Sequence, residues 1–185
     1  FMSFNGPAVI NDAGLVAFRA CLDTGVEGVF TGSGGATTTI ADLSGPLNGF
    51  SDPFINDGGT VAFFANLDLG GVGIFTGSGG PTTTIFEGPG LSPYASAPVI
   101  NDSGTVVFRS VYGIFMGSGG PLTTISGPFA SIGLPSLNDS GTVAFRPSRY
   151  STRKAIGPFR NVGRPSGGTK CLQFWRTSPT LRDGL

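Results

Sequence analysis

The chain has 185 residues, with eleven basic and eleven acidic side chains and no histidine. Without histidine, this chain holds no Ser-His-Asp or Cys-His catalytic arrangement and no histidine-ligated metal. Its 32 glycines, 14 prolines and 16 phenylalanines, with only 12% charged residues, indicate short strands joined by tight turns rather than a disordered chain. No run approaches the roughly 18 apolar residues of a membrane-spanning helix, and no signal-peptide pattern is present.

An internal repeat organises residues 1–146. The pattern Asn-Asp-x-Gly-x-Val-x-Phe occurs four times, as NDAGLVAF at 11–18, NDGGTVAF at 56–63, NDSGTVVF at 101–108 and NDSGTVAF at 138–145. A second string follows the first three copies, as GVFTGSGGATTTI at 28–40, GIFTGSGGPTTTI at 73–85 and GIFMGSGGPLTTI at 113–125. The first two copies of each string are 45 residues apart, so the repeat unit is about 45 residues long.

Each unit predicts four strands in chain order. In the first, the apolar run 7–10 leads into an Asn-Asp-x-Gly turn, and residues 15–20 return as the second strand. A polar loop at 23–27 precedes the third strand at 28–31. A Gly-Ser-Gly-Gly hairpin turn then leads to a fourth strand around 37–40, which is rich in β-branched residues. A Pro/Gly-rich connection closes the unit.

These elements predict an all-β fold of tandem four-stranded antiparallel repeats, similar to the blades of a β-propeller. The second strand is apolar on both faces, as expected for a blade that lies between two neighbours. Because a closed propeller needs at least four blades, the array is either part of a larger ring or closes by self-association through open β edges. A β-solenoid-like stack is the alternative.

The four Asn-x-x-Gly-x-x-x-Phe strings resemble those of the bacterial NxxGxxxF tandem-repeat proteins. The match covers roughly residues 4–146. It implies a secreted or surface-anchored protein without known catalytic residues, and hence an extracellular or cell-surface location. The turns also look like the Asp-box hairpins of sialidase-like propellers, where the turn is structural.

The repeated Asn-Asp pairs have two interpretations. In the first, they are hairpin turns whose side chains bond the backbone. In the second, equivalent turns on one rim offer oxygen ligands to Ca²⁺. The candidate ligands are Asn11, Asp12, Asn56, Asp57, Asn101, Asp102, Asn138 and Asp139.

Other polar positions carry weaker signals. Asp23, Glu27 and Asp68 precede third strands and are expected to be solvated loop charges, or alternatively to line a binding surface. Arg19 and Arg109 follow the motif phenylalanine, but the second copy has Phe64 at this position, which argues against a shared charge role.

The segment 147–185 differs from the repeat. It holds eight basic residues and one acidic residue, whereas residues 1–146 hold three basic and ten acidic ones. It has no apolar periodicity, so we expect a basic tail that is disordered or foreign to the repeat, and a nucleic-acid role is not favoured.

The sequence predicts two functions, and a purely structural fragment is a third possibility. The first is a non-catalytic extracellular binding module for a carbohydrate, a surface polymer or a protein. The alternative is a Ca²⁺-dependent hydrolase, such as a lactonase on a propeller-like scaffold, in which the metal polarises the carbonyl and a carboxylate activates water. No other cofactor is predicted, and fold alone does not decide between the two.

Overall fold

The computed structural model describes residues 1–91, 97–127, 131–148 and 171–173. Every regular element within these ranges is a β-strand, and no helix there is long and apolar enough to cross a membrane. The strands of the first three repeats form consecutive antiparallel sheets, one for each repeat, which confirms the predicted all-β, propeller-like architecture.

The first two repeats form five-stranded sheets in which two short strands share one neighbour. Blade 1 contains β1 (Ser3–Phe4), β2 (Val9–Ile10), β3 (Val16–Cys21), β4 (Glu27–Gly32) and β5 (Thr38–Asp42). Blade 2 contains β6 (Leu47–Phe50), β7 (Phe54–Ile55), β8 (Val61–Leu67), β9 (Val72–Gly77) and β10 (Thr83–Glu87). In each sheet the last three strands follow in chain order.

The third repeat is a four-stranded sheet, and the fourth is partial. Blade 3 contains β11 (Val99–Ile100), β12 (Val106–Ser110), β13 (Gly113–Gly117) and β14 (Thr123–Ser126). Blade 4 contains β16 (Ser136–Leu137) and β17 (Val143–Phe145), and β19 (Cys171–Gln173) runs parallel to β17. A separate pair joins β15 (Ser131–Ile132) to β18 (Pro147–Ser148). The predicted tail lies outside the described residues except at β18 and β19.

The first strand of a blade is split, which differs from the sequence prediction. Strand β2 pairs with the start of β3, whereas β1 pairs with its end. Blade 2 repeats this arrangement, so Leu47–Phe50, predicted as part of a Pro/Gly-rich connection, is a strand along β8. Gly49 adopts a φ of +71° where the register shifts, which allows this glycine-containing segment to pair.

The hydrophobic core lies between blades. On β8, Val61 and Phe63 pack into the cluster shared with blade 1, and Ala62 and Phe64 pack into the cluster shared with blade 3. A third cluster joins Val107 and Ile114 of blade 3 to Val143 and Phe145 of blade 4. Burial of both faces of β8 confirms the prediction that a middle blade lies between two neighbours.

Each complete blade carries one stacked phenylalanine pair across its second and third strands. The ring centroids are 6.0 Å apart for Phe18 and Phe30 and 5.9 Å apart for Phe63 and Phe75. The pair Phe108 and Phe115 is also 5.9 Å apart. Such aromatic pairs add to the stability of a sheet beyond the area that they bury.

A substitution at the glycine of an Asn-Asp-x-Gly turn measures how much the backbone conformation of that turn contributes to stability. Gly104 has a φ of +77°, and an added Cβ would meet no atom within 4 Å. We expect Gly104→Ala to lower the free energy of unfolding by about 1–2 kcal/mol through backbone strain alone. Urea unfolding measures the effect. The control is Gly120→Ala, which also faces open space but has no positive φ. A similar loss in both variants would contradict the strain argument.

Candidate functional site

The four Asn-Asp-x-Gly motifs form matching turns at the same end of the strands in each blade. We call this end of the blades the turn edge. In the second copy, the Asn56 carbonyl accepts a hydrogen bond from the Gly59 N–H at 3.0 Å. Its side-chain Oδ1 accepts from the Thr60 N–H at 2.8 Å. The other copies repeat the second bond at Leu15, Thr105 and Thr142. The side-chain oxygen of each asparagine therefore bonds within its own turn.

The amide nitrogens of the same asparagines link neighbouring blades. Asn11 Nδ2 donates to the carbonyl of Asn56 at 3.0 Å, and Asn56 Nδ2 donates to the carbonyl of Asn101 at 2.9 Å. Asn101 Nδ2 in turn donates to the carbonyl of Asn138 at 3.1 Å. The four turns thus form a continuous hydrogen-bonded ladder across the array, which we call the Asn-Asp ladder.

The aspartates form a second row of bonds in this ladder. The Asp12 N–H donates to the Asp57 carboxylate at 3.0 Å, and the Asp57 N–H donates to the Asp102 carboxylate at 2.8 Å. The Asp102 N–H donates to the Asp139 carboxylate at 3.0 Å. Each carboxylate after the first therefore bonds the preceding blade, and charged acceptors make stronger hydrogen bonds than neutral ones.

The structure brings the eight candidate Ca²⁺ ligands into one row, and it gives several of their oxygens and amides protein partners. Among residues 1–91, 97–127, 131–148 and 171–173, no three His, Cys, Asp or Glu side chains form a group that could hold a metal. The Ca²⁺ site, and the Ca²⁺-dependent hydrolase that depends on it, stay predictions from the sequence.

A polar cleft of about 290 Å³ lies between blades 1 and 2. Arg19 crosses it: its Nε donates to the carbonyl of Asn5 at 3.1 Å, and its Nη1 donates to the carbonyl of Phe50 in blade 2. The guanidinium also faces Glu27 at 3.7 Å and Asp52 at 3.6 Å. Because the two carboxylates are partly exposed, these ion pairs contribute little stability, and the backbone bonds hold the arginine.

The position after the motif phenylalanine has different surroundings in blades 1 and 2, which agrees with the absence of a shared charge role. The equivalent residue of blade 2, Phe64, is buried among apolar side chains between blades 2 and 3, and it also lines the cleft. Blade 1 therefore has a charged contact where blade 2 has an apolar one. Of the three predicted loop charges, Glu27 lines the cleft, whereas Asp23 lies 3.6 Å from the N-terminal amine.

Exposed apolar side chains mark the opposite end of the blades, here called the loop edge. It carries the connections between second and third strands and those that leave each fourth strand. Leu69 is fully exposed in the β8–β9 loop, and Val111 and Tyr112 form an exposed β12–β13 loop. Leu43, after β5, is also exposed. The turns at the turn edge consist instead of Asn, Asp, Ser and Gly with few larger residues.

The Arg19 cleft opens in the half of the blades that is near the loop edge. Arg19 pairs with Val29 near the end of β3, and Asn66 of the cleft lies next to the end of β8. The loop edge therefore combines a concave polar surface with exposed apolar loops. This combination makes the loop edge a candidate binding surface, because ligand sites pair apolar contact area with a few placed polar groups.

Comparison with known proteins identifies the fold. TolB from Acinetobacter baumannii matches 75% of this chain with a TM-score of 0.55 and 17% sequence identity. The match covers 36% of TolB, so this chain spans about a third of the length of that protein. The likeness supports the propeller-like fold. No family model and no curated protein matches the sequence.

Proposed function

We propose that this chain is a non-catalytic binding module that uses its loop edge to bind a protein ligand. The observation that carries the proposal is the unequal distribution of side chains between the two edges. The polar groups of the turn edge bond neighbouring blades, whereas the loop edge leaves Leu69, Val111 and Tyr112 in solvent. Exposed aromatic and aliphatic side chains are typical anchors of protein interfaces.

The residues of the cleft would supply specificity rather than most of the affinity. Arg19 is held by two backbone carbonyls, so its guanidinium is already oriented before a ligand arrives. Glu27 and Asp52 leave the cleft acidic overall, and a basic or neutral polar group of the ligand fits this charge. The NxxGxxxF resemblance adds that this module acts outside the cell or at its surface.

A peptide-display selection tests the proposal with a defined probe. Peptides are selected on the wild-type chain, and their affinities are measured by fluorescence anisotropy for the wild type and for Leu69→Ser combined with Tyr112→Ser. We expect the double variant to bind at least tenfold more weakly, because anchor side chains dominate the affinity of such interfaces. Both side chains are exposed, so the fold should tolerate the changes.

The control is Ile10→Ser, measured on dilute, monomeric protein, which removes an aliphatic side chain that is 67% exposed and lies beside the turn edge. This variant should bind the selected peptides like the wild type. No enrichment of peptides, or equal binding to all three proteins, would overturn the proposed protein ligand. A parallel glycan array separates the remaining options, because glycan binding in place of peptide binding would make the ligand a carbohydrate.

A further inference from the structure

The face of blade 1 that points away from blade 2 is more exposed to solvent than the same face of blades 2 and 3. In blade 3, Ile100 is 7% exposed because it packs on blade 2, whereas the equivalent Ile10 of blade 1 is 67% exposed. Phe50, which pairs with β8, is 4% exposed, whereas Phe4, which pairs with β3 at the equivalent place, is 67% exposed. We call this surface the upstream face.

The upstream face keeps the side chains of a blade interface. Val16 and Phe18 occupy the places of Val61 and Phe63, which are fully buried against blade 1. In blade 1 these two residues are only half-buried. Phe1 covers part of the face, with its ring centroid 5.6 Å from that of Phe18, and is itself 41% exposed. Blade 1 thus presents the surface that blades 2 and 3 bury on a neighbour.

The ends of the Asn-Asp ladder are complementary in hydrogen bonding. At the first end, the Asp12 carboxylate has no partner among the described residues, whereas the next three aspartates each accept a bond from the preceding blade. At the other end, Asn138 Nδ2 and the Asp139 N–H have no acceptor within the described part of the chain, although their equivalents in blades 1 to 3 donate onward. One end offers acceptors and the other offers donors.

We propose that the upstream face binds the blade-4 end of a second copy of this chain, head to tail. In this contact, Asn138 Nδ2 of one copy donates to the Asn11 carbonyl of the other, and the Asp139 N–H donates to the Asp12 carboxylate. The contact repeats the bonds that join blades 1 and 2. Ala144, which corresponds to the interface residues Ala17 and Ala62, would lie against Phe18.

The contact differs from the predicted pairing of open β edges, since it joins sheet faces and turns rather than edge strands. It is also heterologous, because different surfaces of the two copies meet, so it forms a ring if the rotation closes and a filament if it does not. Two copies would supply three complete sheets and one partial sheet each.

Sedimentation velocity on the full chain under reducing conditions tests the proposal, since Cys21 is a free thiol. We expect the wild type to pass from the 18.8 kDa monomer to larger species as its concentration rises. Ile10→Glu should abolish association, and Asn138→Asp should weaken it about tenfold, because it replaces the donor amide nitrogen but keeps the Oδ1 that bonds Thr142.

Mixing the two variants separates a head-to-tail contact from other modes of association. Ile10→Glu blocks the upstream face and leaves the blade-4 end intact, whereas Asn138→Asp weakens the blade-4 end and leaves the upstream face intact. At a concentration where each variant alone is monomeric, an equimolar mixture should therefore form a complex of one copy of each and no larger species. Gly120→Ala is the control and should associate like the wild type, because it lies away from both ends. A monomeric wild type at all concentrations, or unchanged association of Ile10→Glu, would overturn the proposal.

Discussion

Phe63→Ala should lower the free energy of unfolding by about 3–5 kcal/mol, the usual loss for a fully buried phenylalanine. The Phe63 ring has no exposed surface and packs between blades 1 and 2, with the Phe50 and Phe75 rings each 5.9 Å away between centroids. Removal of the ring leaves a cavity in a region where both neighbouring sheets are held by their own hydrogen bonds. Urea unfolding followed by far-UV circular dichroism measures the loss.

Phe18→Ala is the matched control for this experiment, because Phe18 is the same residue of the repeat in blade 1. Its ring is half-buried and contacts Phe1 and Phe4, which themselves remain exposed. The expected loss is less than half of that for Phe63→Ala, since Phe18 is only half-buried and its exposed neighbours can fill part of the space. The comparison requires dilute protein, where self-association is negligible. Equal losses in the monomer would contradict the burial difference between the two blades.

Asn56→Asp should lower the free energy of unfolding by about 2–3 kcal/mol at neutral pH. The change keeps Oδ1, which accepts from Thr60, but replaces the amide nitrogen that donates to the carbonyl of Asn101 at 2.9 Å. Asn56 is only 6% exposed, so two oxygen atoms then face each other with little water between them. Thermal and urea unfolding measure the effect.

The same substitution at Asn138 provides the control. Asn138 also bonds its own turn through Oδ1, but its amide nitrogen has no acceptor within the described part of the chain. We expect Asn138→Asp to change monomer stability by less than about 0.5 kcal/mol. If both variants lose the same stability, the bond from Asn56 to Asn101 does not contribute as the geometry implies.

The pH dependence of Asn56→Asp adds a second readout. Burial disfavours the charged form, so the pKa of the introduced carboxyl should lie above its unfolded value of about 3.9. The charge penalty is therefore fully present well above the folded-state pKa, and it disappears as the pH falls through that pKa towards about 3.9. The protonated group can also donate to Asn101. The difference from Asn138→Asp should shrink at low pH, and a constant difference would argue against a buried charge.

The sequence predicted the repeat and most of its strands because these depend on neighbouring residues. An Asn-Asp-x-Gly turn needs one glycine with a positive φ and one amide that reaches the N–H four residues later. The apolar residues on both sides of β8 also predicted a blade between two others. Strand β6 was missed because its pairing depends on the end of β8 and on the bulge at Gly49.

The function of the Asn-Asp side chains was open in the sequence because each has two bonding groups. The oxygen of each asparagine bonds within its own turn, and a local pattern reveals this. The amide nitrogen of Asn56 and the carboxylate of Asp57 bond residues 45 positions away, and only the stacking of whole blades brings these partners together. The same motif was therefore compatible with a metal rim as well as with a structural ladder.

The chain by itself determined that about every 45 residues a small sheet forms with two apolar faces. Only the tertiary structure decided which faces are covered, which carbonyls hold Arg19, and which end of the ladder offers donors or acceptors. The physical reason is that similar repeats have similar local preferences, whereas burial and hydrogen bonding depend on the neighbour that each repeat meets. Blades 1 and 2 are similar in sequence. They differ mainly because, among the described residues, blade 2 has a blade before it and blade 1 has none.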